Sequence, residues 1–532
     1  MKRTSFRSVL CFALALVLAT GLISVPMGQS AIAAEKPVTL TFWAAMDSKI
    51  ANSCSSYEEL LCMQEIEKKL NINIEWQHPP IGEEKEQFNL MVASGKLPDM
   101  IFYDWVNSYA GGPEKAMADG VIIQVNDYME FAPNLSNWFE KSPSLKKQST
   151  TDSGAVYMFP SAKEICMYEE TMHKNIWMGP IYRADWVEAL KLEEPKTIDQ
   201  VHDMLVAFKE NYGCIPYAAR GLSGGSSGLF CMASTFGCLA DFYVDGDQIN
   251  HGLLNPNFKT YVETMAAWYE EGLIDPDFMA TDKDSLKAKV TNGEVGMFYG
   301  TGSGNWQSFV SIMETTAPEA DLELMHFPTG VDGKAYTSQW DVNLIVGGAG
   351  AAITTKAKNV EACMKFLDYG YGEEGIILEN IGVEGVTYEY DENGVMQFTD
   401  SLLKEVEEKD LSTARGKYVM PGSSWSTISP LIKNALDERT FPEQEDILSA
   451  VWGDNVSYSL ILPPITPTVE EAMQLSNIMN QVKTYRDEMI SKIIMGQLPI
   501  DTYDSVVEQC KSMGLEDALA IENAAYERYK NR

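Results

Sequence analysis

Tryptophans that stand beside polar side chains are the residues of this sequence best suited to binding chemistry. Trp105 follows Asp104, Trp306 follows an asparagine at the end of a glycine-rich stretch, and Trp340 precedes an aspartate. An indole ring can cover the apolar face of a sugar ring while neighbouring carboxylates and amides bond its hydroxyls. Each desolvated hydroxyl needs such a partner. The pattern indicates a carbohydrate site, and ordinary core packing of these tryptophans is the alternative interpretation.

Catalytic and metal-binding signals are weak by comparison. Gly221-Leu-Ser-Gly-Gly225 has the spacing of a nucleophile elbow, but a flexible Ser/Gly stretch follows it where that motif needs a helix. The five histidines are scattered, and none is paired at helical spacing for zinc. The 76 acidic residues leave a pair of glycosidase carboxylates open, yet no pair stands out. We expect no catalytic residue, no metal and no cofactor.

The chain is strongly acidic, and this narrows its partners. Its 532 residues carry 76 Asp and Glu against 41 Lys and Arg, a formal net charge of −35. Nucleic acids and anionic membrane surfaces attract clustered Lys and Arg, so neither is expected as a partner. With 45% hydrophobic residues, the chain is long enough to build a large core and more than one domain.

Residues 1–34 have the pattern of a secretory signal peptide. Basic residues between positions 2 and 7 precede an apolar run over 9–25, and Ala31-Ile-Ala-Ala34 supplies small residues for cleavage. The apolar run is short for a bilayer span. We expect cleavage after Ala33 or Ala34, and therefore export.

The N-terminal part of the remaining chain alternates between strand and helix patterns. Apolar residues alternate with polar ones in two strands, form a wholly apolar run in the third, and recur at helical spacing between them. The predicted elements are strands over 38–43, 72–76 and 100–103 and helices over 57–70 and 83–94. This order indicates a parallel sheet covered by helices.

The ends of two predicted strands carry candidate ligand-binding residues, because ligands of such sheets bind beyond the carboxyl ends of the strands. The first strand runs out at Trp43 with Asp47 shortly after, and the third runs out at Asp104 and Trp105. Each end therefore places a tryptophan and a carboxylate near the expected crevice. Core packing of the tryptophans and helix capping by the carboxylates are the alternatives.

The rest of the chain also mixes helices with strands. The predicted pieces are helices over 198–210, 257–271 and 284–292, a buried strand over 295–299 with a glycine-rich turn over 300–306, a third α/β stretch from about 342 that includes 362–369, and helices over 469–532 with breaks at 496–499 and 514. No internal repeat or low-complexity linker separates them, so we expect one body of several lobes.

Eight cysteines follow the expected cleavage site, and their pairing is open. A chain of this length does not depend on disulfides, and the spacings are irregular. Cys231 and Cys238 are close enough in sequence to bridge. Buried free thiols are the alternative.

Several segments, in their order along the chain, carry a resemblance to a known family. They are Ala93-Ser-Gly-Lys-Leu-Pro-Asp99, Ser153-Gly-Ala-Val-Tyr-Met-Phe-Pro160, Tyr182-Arg-Ala-Asp-Trp186, Tyr269-Glu-Glu-Gly-Leu-Ile-Asp-Pro-Asp277, Asp368-Tyr-Gly-Tyr-Gly-Glu-Glu-Gly375 and Gly382-Val-Glu-Gly-Val-Thr-Tyr388. The chain resembles the family 1 extracellular solute-binding proteins of bacterial ABC importers, in particular their large oligosaccharide-binding branch. The matching segments span nearly the whole chain after residue 34.

The resemblance implies an α/β, two-lobed periplasmic-binding-protein fold of type 2, with a hinge and a helical C-terminal region. It assigns residues 35–160 and 346–430 to lobe 1, and residues 161–345 and 431–532 to lobe 2. The chain is expected to cross between the lobes near 157–165, 335–346 and 425–440. The ligand is expected in the cleft, where contacts from both lobes favour hinge closure.

The resemblance also implies a monomeric, non-enzymatic protein that captures an oligosaccharide and delivers it to the permease subunits of an ABC transporter. The alternatives are a secreted carbohydrate-active enzyme and a sensor subunit that presents a ligand to a membrane kinase. For Arg183, a salt bridge with Asp185 is the alternative to a ligand contact. The candidate ligand-binding residues are Trp43, Asp104, Trp105, Arg183, Tyr299, Trp306, Trp340, Asn343 and Trp425.

Two features depart from that branch. Where its members often carry a calcium loop, this chain has Lys209-Glu-Asn-Tyr-Gly-Cys-Ile-Pro216, which lacks alternating carboxylates, so we expect no calcium there. Gram-positive members are usually lipoproteins, but no cysteine follows Ala34, and Cys11 lacks the small residue that a lipid-attachment site needs before it. We expect an exported protein that is extracellular, periplasmic or retained at the cell surface by another contact.

Overall fold

The computed structural model describes residues 36–163, 176–330, 332–339, 345–392, 394, 396–408, 414–420, 428–429, 447–453 and 456–532. Contacts group Val38–Arg532 into one unit, and the description that follows concerns that unit.

The strands are numbered along the chain. They are β1 (Val38–Trp43), β2 (Ile72–Gln77), β3 (Met100–Asp104), β4 (Phe159–Lys163), β5 (Met178–Arg183), β6 (Ile215–Ala218), β7 (Phe242–Asp245), β8 (Gln248–His251), β9 (Val295–Thr301), β10 (Leu322–Leu324), β11 (Ala335–Tyr336), β12 (Ile345–Ile353), β13 (Tyr388–Tyr390), β14 (Met396–Phe398), β15 (Ile428–Ser429) and β16 (Val456–Ser457).

The α-helices are numbered in the same way. They are α1 (Ser48–Ala51), α2 (Leu61–Leu70), α3 (Glu84–Ser94), α4 (Trp105–Ser108), α5 (Gly112–Ala118), α6 (Pro133–Lys141), α7 (Pro143–Gln148), α8 (Ala184–Leu190), α9 (Ile198–Tyr212), α10 (Pro256–Glu270), α11 (Lys283–Thr291), α12 (Ser308–Thr316), α13 (Val360–Tyr369), α14 (Glu373–Asn380), α15 (Asp400–Glu408), α16 (Val469–Ile494), α17 (Thr502–Ser512) and α18 (Leu515–Lys530).

The parallel sheet predicted for the N-terminal part is confirmed. Strand β1 pairs in parallel with β2 on one side and β3 on the other, so that Phe42 lies opposite Trp76 and Met100. Later strands extend this sheet to the order β15-β4-β12-β3-β1-β2, and β12 runs antiparallel to both β3 and β4. The carboxyl ends of β1 and β3 therefore lie at one edge of the sheet.

The predicted helix over 57–70 is broken at Leu60. A short 3₁₀ turn covers Tyr57–Glu59, Leu60 is extended and wholly buried, and α2 begins only after it. The first N–H groups of a helix have no partner within the helix. Here the N–H groups of Leu61 and Cys62 donate to the carbonyls of Lys417 and Tyr418. A distant segment thus satisfies the start of α2, which sequence periodicity does not reveal.

A second sheet has the strand order β10-β5-β9-β6. Strand β9 is the predicted buried strand, and it pairs antiparallel with β5 and parallel with β6. The glycine-rich segment that follows β9 forms a wide helical turn over Gly302–Gln307 and continues into α12. The predicted C-terminal helices are present as α16, α17 and α18, with breaks at the expected places.

Two hydrophobic cores surround the two sheets. One core draws its residues from 40–162 and 345–378 with Met420, and we call this part the first lobe. The other draws its residues from 176–336 and 448–518, and we call this part the second lobe. A small satellite cluster lies between residues 381 and 414. The lobe boundaries given above at 160, 345 and 430 stay predictions.

Trp452 anchors the returning chain in the second lobe. Its side chain is fully buried, and its Nε1 donates to the carbonyl of Met325 at 3.0 Å and to that of Pro180 at 3.3 Å. The ring lies against Gly179, where an added Cβ would be only 2.5 Å from the indole carbon Cε2. Glycine at position 179 is therefore needed for this close approach.

Helix α18 and the residues after it fasten the second lobe to the first. The Arg532 guanidinium pairs with the Asp152 carboxylate at 2.6 Å and also donates to the Lys147 carbonyl at 3.0 Å. Arg528 pairs with Asp152 and with Glu471. Asp152 lies in the segment that precedes β4, so this clasp joins the last helix to the first lobe.

The described cysteines are free thiols, so the open possibility of a bridge between Cys231 and Cys238 is not realised. The Sγ of Cys231 lies 3.4 Å from the Gly225 carbonyl, and that of Cys238 lies 3.7 Å from the Ala233 carbonyl. Burial raises the pKa of both thiols to about 12. Cys166 lies outside the described residues.

Within the described ranges, we find no helix that combines the length and the apolar character needed to cross a membrane.

Gly179→Ala is expected to lower the free energy of unfolding by about 1–3 kcal/mol, because the new methyl group overpacks against Trp452. Urea unfolding followed by circular dichroism measures this loss. In a Trp452→Leu background the smaller side chain leaves room, so most of the loss should disappear. An equal loss from Gly179→Ala in both backgrounds contradicts the contact.

Candidate binding cavity between the two lobes

Asp104 stands where β3 ends, and its carboxylate starts the next helix. Its Oδ1 accepts from the N–H groups of Val106 and Asn107, both at 3.1 Å, and its Oδ2 accepts from the Asn107 amide at 2.8 Å. Burial raises the pKa of Asp104, although these hydrogen bonds oppose the rise. The carboxylate is thus a helix cap, which was the alternative to a ligand-binding role in the sequence analysis. It also lines a cavity.

This cavity has a volume of about 870 Å³ and lies between the two lobes. Its size is in the upper part of the range of small-molecule sites. The first lobe contributes Lys85 and Asn89 of α3, Asp104, the segment 106–113, Ile345 and Gly348. The second lobe contributes Phe242, the segment 462–467, one face of α16 and Glu522 of α18.

Local sequence determines where the α16 wall of the cavity begins. Prolines at 463, 464 and 467 cannot continue a hydrogen-bonded helix, and Thr468 then provides its cap. Thr468 Oγ1 accepts from the Glu471 N–H at 3.4 Å, and the Glu471 carboxylate accepts from the Thr468 N–H at 2.8 Å, a capping box. Residues 472, 475, 476, 479, 480 and 483 then face the cavity at helical spacing.

A cluster of charged groups lies beside the α16 wall of the cavity. The Lys483 ammonium is 2.8 Å from the Asp241 carboxylate, and the Arg486 guanidinium is 3.9 Å from it and donates to the Ala240 carbonyl at 2.7 Å. Burial alone would raise the pKa of Asp241, but these two cations lower it to about 2. Asp241 is therefore ionised and neutralised by neighbours that are already engaged.

His251 is buried beside this cluster in its neutral form. Burial lowers the pKa of His251 to about 3, and its Nδ1 accepts from the Leu253 N–H at 3.2 Å. With Nδ1 as acceptor, the proton of the neutral ring is on Nε2. That nitrogen is 3.8 Å from the Asp241 carboxylate, which is too long for a hydrogen bond.

Glu522 is the buried acid that faces the cavity. Its side chain comes from α18, the residue is 7% exposed, and its Oε2 has no hydrogen-bond partner among the described residues. Burial raises the pKa of Glu522 to about 7; the Asp241 carboxylate adds to the rise and the Lys483 ammonium opposes it. The sequence analysis missed this residue. The available signal was a glutamate among Ala518, Ile521 and Ala525, which form the buried face of α18.

The two predicted tryptophans at the strand ends pack inside the first lobe. Trp43 is 5% exposed and meets Tyr103 edge-on at 5.5 Å between ring centroids. Trp105 is fully buried and meets Phe88 edge-on at 5.5 Å. Neither lines the cavity, and both rings pack against Phe88 of α3.

The predicted residues of the second lobe are also held by packing. Tyr299 is fully buried, with its hydroxyl 3.9 Å from the Met232 sulfur. The Trp306 Nε1 donates to the Leu322 carbonyl at 2.7 Å. Arg183 forms a salt bridge with Asp185, with Nε and Oδ1 2.7 Å apart. This salt bridge was the predicted alternative to a ligand contact.

Of the candidate residues that the structure describes, Asp104 is therefore the one that lines the cavity. Trp340, Asn343 and Trp425 lie outside the described residues, and their role stays a prediction. In the part of the chain that is described, no three His, Cys, Asp or Glu side chains are grouped to hold a metal ion. The expected lack of calcium at 209–216 likewise stays a prediction.

Comparison with known proteins places the chain among binding proteins. The family model described as "Bacterial extracellular solute-binding protein" matches residues 55–377. The chain is 24% identical to the fructooligosaccharide ABC transporter substrate-binding protein FusA of Streptococcus pneumoniae serotype 4, over 89% of this chain and 87% of that protein. It is 25% identical to lipoprotein LipO of Bacillus subtilis strain 168, over 88% and 89%.

A solved structure of S. pneumoniae FusA in complex with kestose has the same fold. The TM-score is 0.74 at 22% identity, over 93% of this chain and 99% of that chain. This likeness confirms the two-lobed α/β fold that the resemblance implied.

Glu522→Gln is expected to raise the melting temperature at pH 8 and to raise it much less at pH 5. The folded-state pKa of about 7 is above the ordinary value of 4.5, so the folded protein binds this proton more tightly than the unfolded chain. Stability from this group is therefore fully present below about pH 4.5 and is lost as the pH rises from there to about 7, and glutamine removes that loss. Differential scanning calorimetry across pH 5–8 measures the effect.

The matched control is Glu516→Gln on the same helix, since the Glu516 side chain is 68% exposed. It should shift the melting temperature equally little at both pH values. A Glu522→Gln shift that does not vary with pH contradicts the raised pKa.

Proposed function

The chain belongs to the bacterial extracellular solute-binding protein family, whose model covers more than half of it, and from this membership we propose that it captures an oligosaccharide between its lobes and delivers it to the permease of an ABC importer. The observation that carries the proposal is the cavity of about 870 Å³ with one wall from each lobe. The name of the relative FusA, a fructooligosaccharide-binding protein of an importer, supports this substrate class.

The cavity has the mixed lining that a sugar requires. Asn89, Asn107 and Asn480 offer amides that can both donate to and accept from hydroxyls, while Tyr109 and Phe242 offer aromatic surface. A sugar ring exposes apolar C–H groups on its faces and hydroxyls around its rim. Such a lining therefore suits a neutral ring better than a wholly apolar or a highly charged ligand.

A ligand that touches both walls would favour the closed arrangement of the lobes. The chain goes from β4 of the first sheet to β5 of the second, returns to the first sheet at β12, and leaves it again after β15. Contacts that exist only when both walls meet the ligand supply the differential affinity that closure needs. The closed form is then the state that a permease can recognise.

We propose binding without catalysis. Both oxygens of Asp104 already accept hydrogen bonds from Val106 and Asn107, so this carboxylate is engaged in capping α4. The proposal includes export through residues 1–34 and a monomeric state. Retention at the cell surface would keep the captured sugar near its permease.

Ala110→Trp is expected to weaken oligosaccharide binding at least tenfold, because Ala110 lines the cavity and an indole there would occupy space that the ligand needs. Isothermal titration with kestose, cellotriose, galactotriose and longer members of each series measures binding, and ligand-induced thermal stabilisation supports it. Ala118→Trp is the control, since Ala118 is exposed at the end of α5 and does not line the cavity.

Equal affinities of the two tryptophan variants contradict the cavity as the site. Failure of the unaltered protein to bind any saccharide contradicts the substrate class. Appearance of shortened saccharides on incubation, followed by chromatography, contradicts binding without catalysis and favours the enzyme alternative.

A further inference from the structure

One buried acid, Glu522, lies in the wall of the cavity. Glu522 is more than nine-tenths buried, it lines the cavity, and its Oε2 has no hydrogen-bond partner among the residues that the structure describes. An unpaired buried polar atom carries a cost in the free energy of folding. Neighbouring polar groups do not relieve this cost, because Lys483 is turned to Asp241 at 2.8 Å.

The charged groups that act on Glu522 come from two parts of the second lobe. The Asp241 carboxylate precedes β7, and the Lys483 ammonium and the Glu471 carboxylate both project from α16. Behind Asp241 lie the Arg486 guanidinium and the neutral His251 ring. Glu471 is partly buried, but its pairing with Arg528 lowers its pKa.

These surroundings make Glu522 the member of the cluster that changes charge near neutral pH. The pKa values of Asp241 and His251 are about 2 and about 3, while that of Glu522 is about 7. Close to pH 7, Glu522 is therefore divided between a carboxyl, which donates one hydrogen bond, and a carboxylate, which only accepts.

We propose that Glu522 forms a subsite of the cavity that pairs with a sugar hydroxyl and excludes a sugar carboxylate, so that the protein selects neutral oligosaccharides over uronate-containing ones. This inference rests on the proposed function, because it names the chemical class of the captured saccharide. A hydroxyl both donates and accepts, so it pairs with either protonation state of Glu522.

A uronate carboxylate placed beside Glu522 would be repelled once Glu522 is ionised. Two ionised carboxylates in contact repel each other strongly where water is excluded. Lys483 also lines the cavity, but its ammonium is paired with Asp241 at 2.8 Å, and Arg486 lies 3.9 Å from the same carboxylate, so both cations are shared with an acid that is already ionised. Lys85 lines the cavity from an exposed position on the first lobe, on the opposite wall from α18.

The sign of the pH dependence follows from this arrangement. A uronate can share a hydrogen bond with Glu522 only while Glu522 keeps its proton. Its affinity should therefore fall as the pH rises through 7, whereas that of the neutral sugar should change little.

The experiment uses the full chain and three matched pairs of probes: kestose, cellotriose and galactotriose, each beside the same sugar oxidised at its primary hydroxyls to carboxylates. Isothermal titration at pH 6 and pH 8 gives the ratio of neutral to oxidised affinity. For a pair whose neutral member binds, the unaltered protein should favour that member at least tenfold at pH 8 and by a smaller ratio at pH 6.

Two substitutions at position 522 separate its roles. Glu522→Gln keeps a hydrogen-bonding group without charge, so it should retain neutral-sugar affinity within about threefold and make the ratio the same at both pH values. Glu522→Met keeps the length and removes hydrogen bonding, so neutral-sugar affinity should fall at least tenfold. Glu516→Met, at an exposed position of the same helix, is the control and should match the unaltered protein.

The outcomes separate failure of the Glu522 subsite from failure of the proposed oligosaccharide binding. If neutral sugars bind but Glu522→Met binds them as well as the unaltered protein does, or Glu522→Gln keeps the full pH-dependent ratio, the subsite is overturned and the proposed function stands. If the oxidised sugar binds more tightly than its neutral partner at pH 8, the selectivity is overturned. If no neutral or oxidised sugar binds, both proposals fall. Melting temperatures of the variants identify any loss that comes from unfolding.

Discussion

The burial of Trp452 against the second sheet is the contact on which the cavity's second wall depends. The indole occupies the space beside Gly179, and its N–H satisfies two carbonyls of the same lobe. Soon after it, β16 pairs with β11, and a proline-rich segment leads to Thr468, where α16 begins. The returning chain is therefore fixed to the second lobe before it forms the wall that faces Asp104 in the first.

Burial and ion pairing determine which carboxyl groups near this wall are ionised. Asp241 stays ionised because two cations stand beside it, and those cations are then engaged. Glu522 is more deeply buried and has no such pairing among the described residues, so burial raises its pKa to about 7. In a chain with a formal charge of −35, the groups that distinguish the cavity are thus a buried acid and engaged cations rather than a free positive patch.

Much of the fold could be read from the sequence, because local patterns determine local structure. The strand at 38–43 and the helix that stops at Gly95 were predicted within a residue, and Gly95 has the left-handed conformation that such a stop requires. The break at Leu60 was missed because its cause is a pairing with residues 417 and 418, far along the chain. The candidate site was predicted less well, since aromatic residues next to polar ones occur in cores as well as in ligand sites.

The sequence by itself determined the acidic composition, the order of strands and helices, and the family to which the chain belongs, because each of these is written in residue types and short spacings. Only the tertiary structure decided which side chains line the cavity. Trp43 and Trp105 have the composition of a sugar site but lie under α3, while Glu522 has no sequence motif and lies in the cavity wall. The physical reason is that burial and the pKa of a carboxyl depend on neighbours hundreds of residues away, and local spacing does not record them.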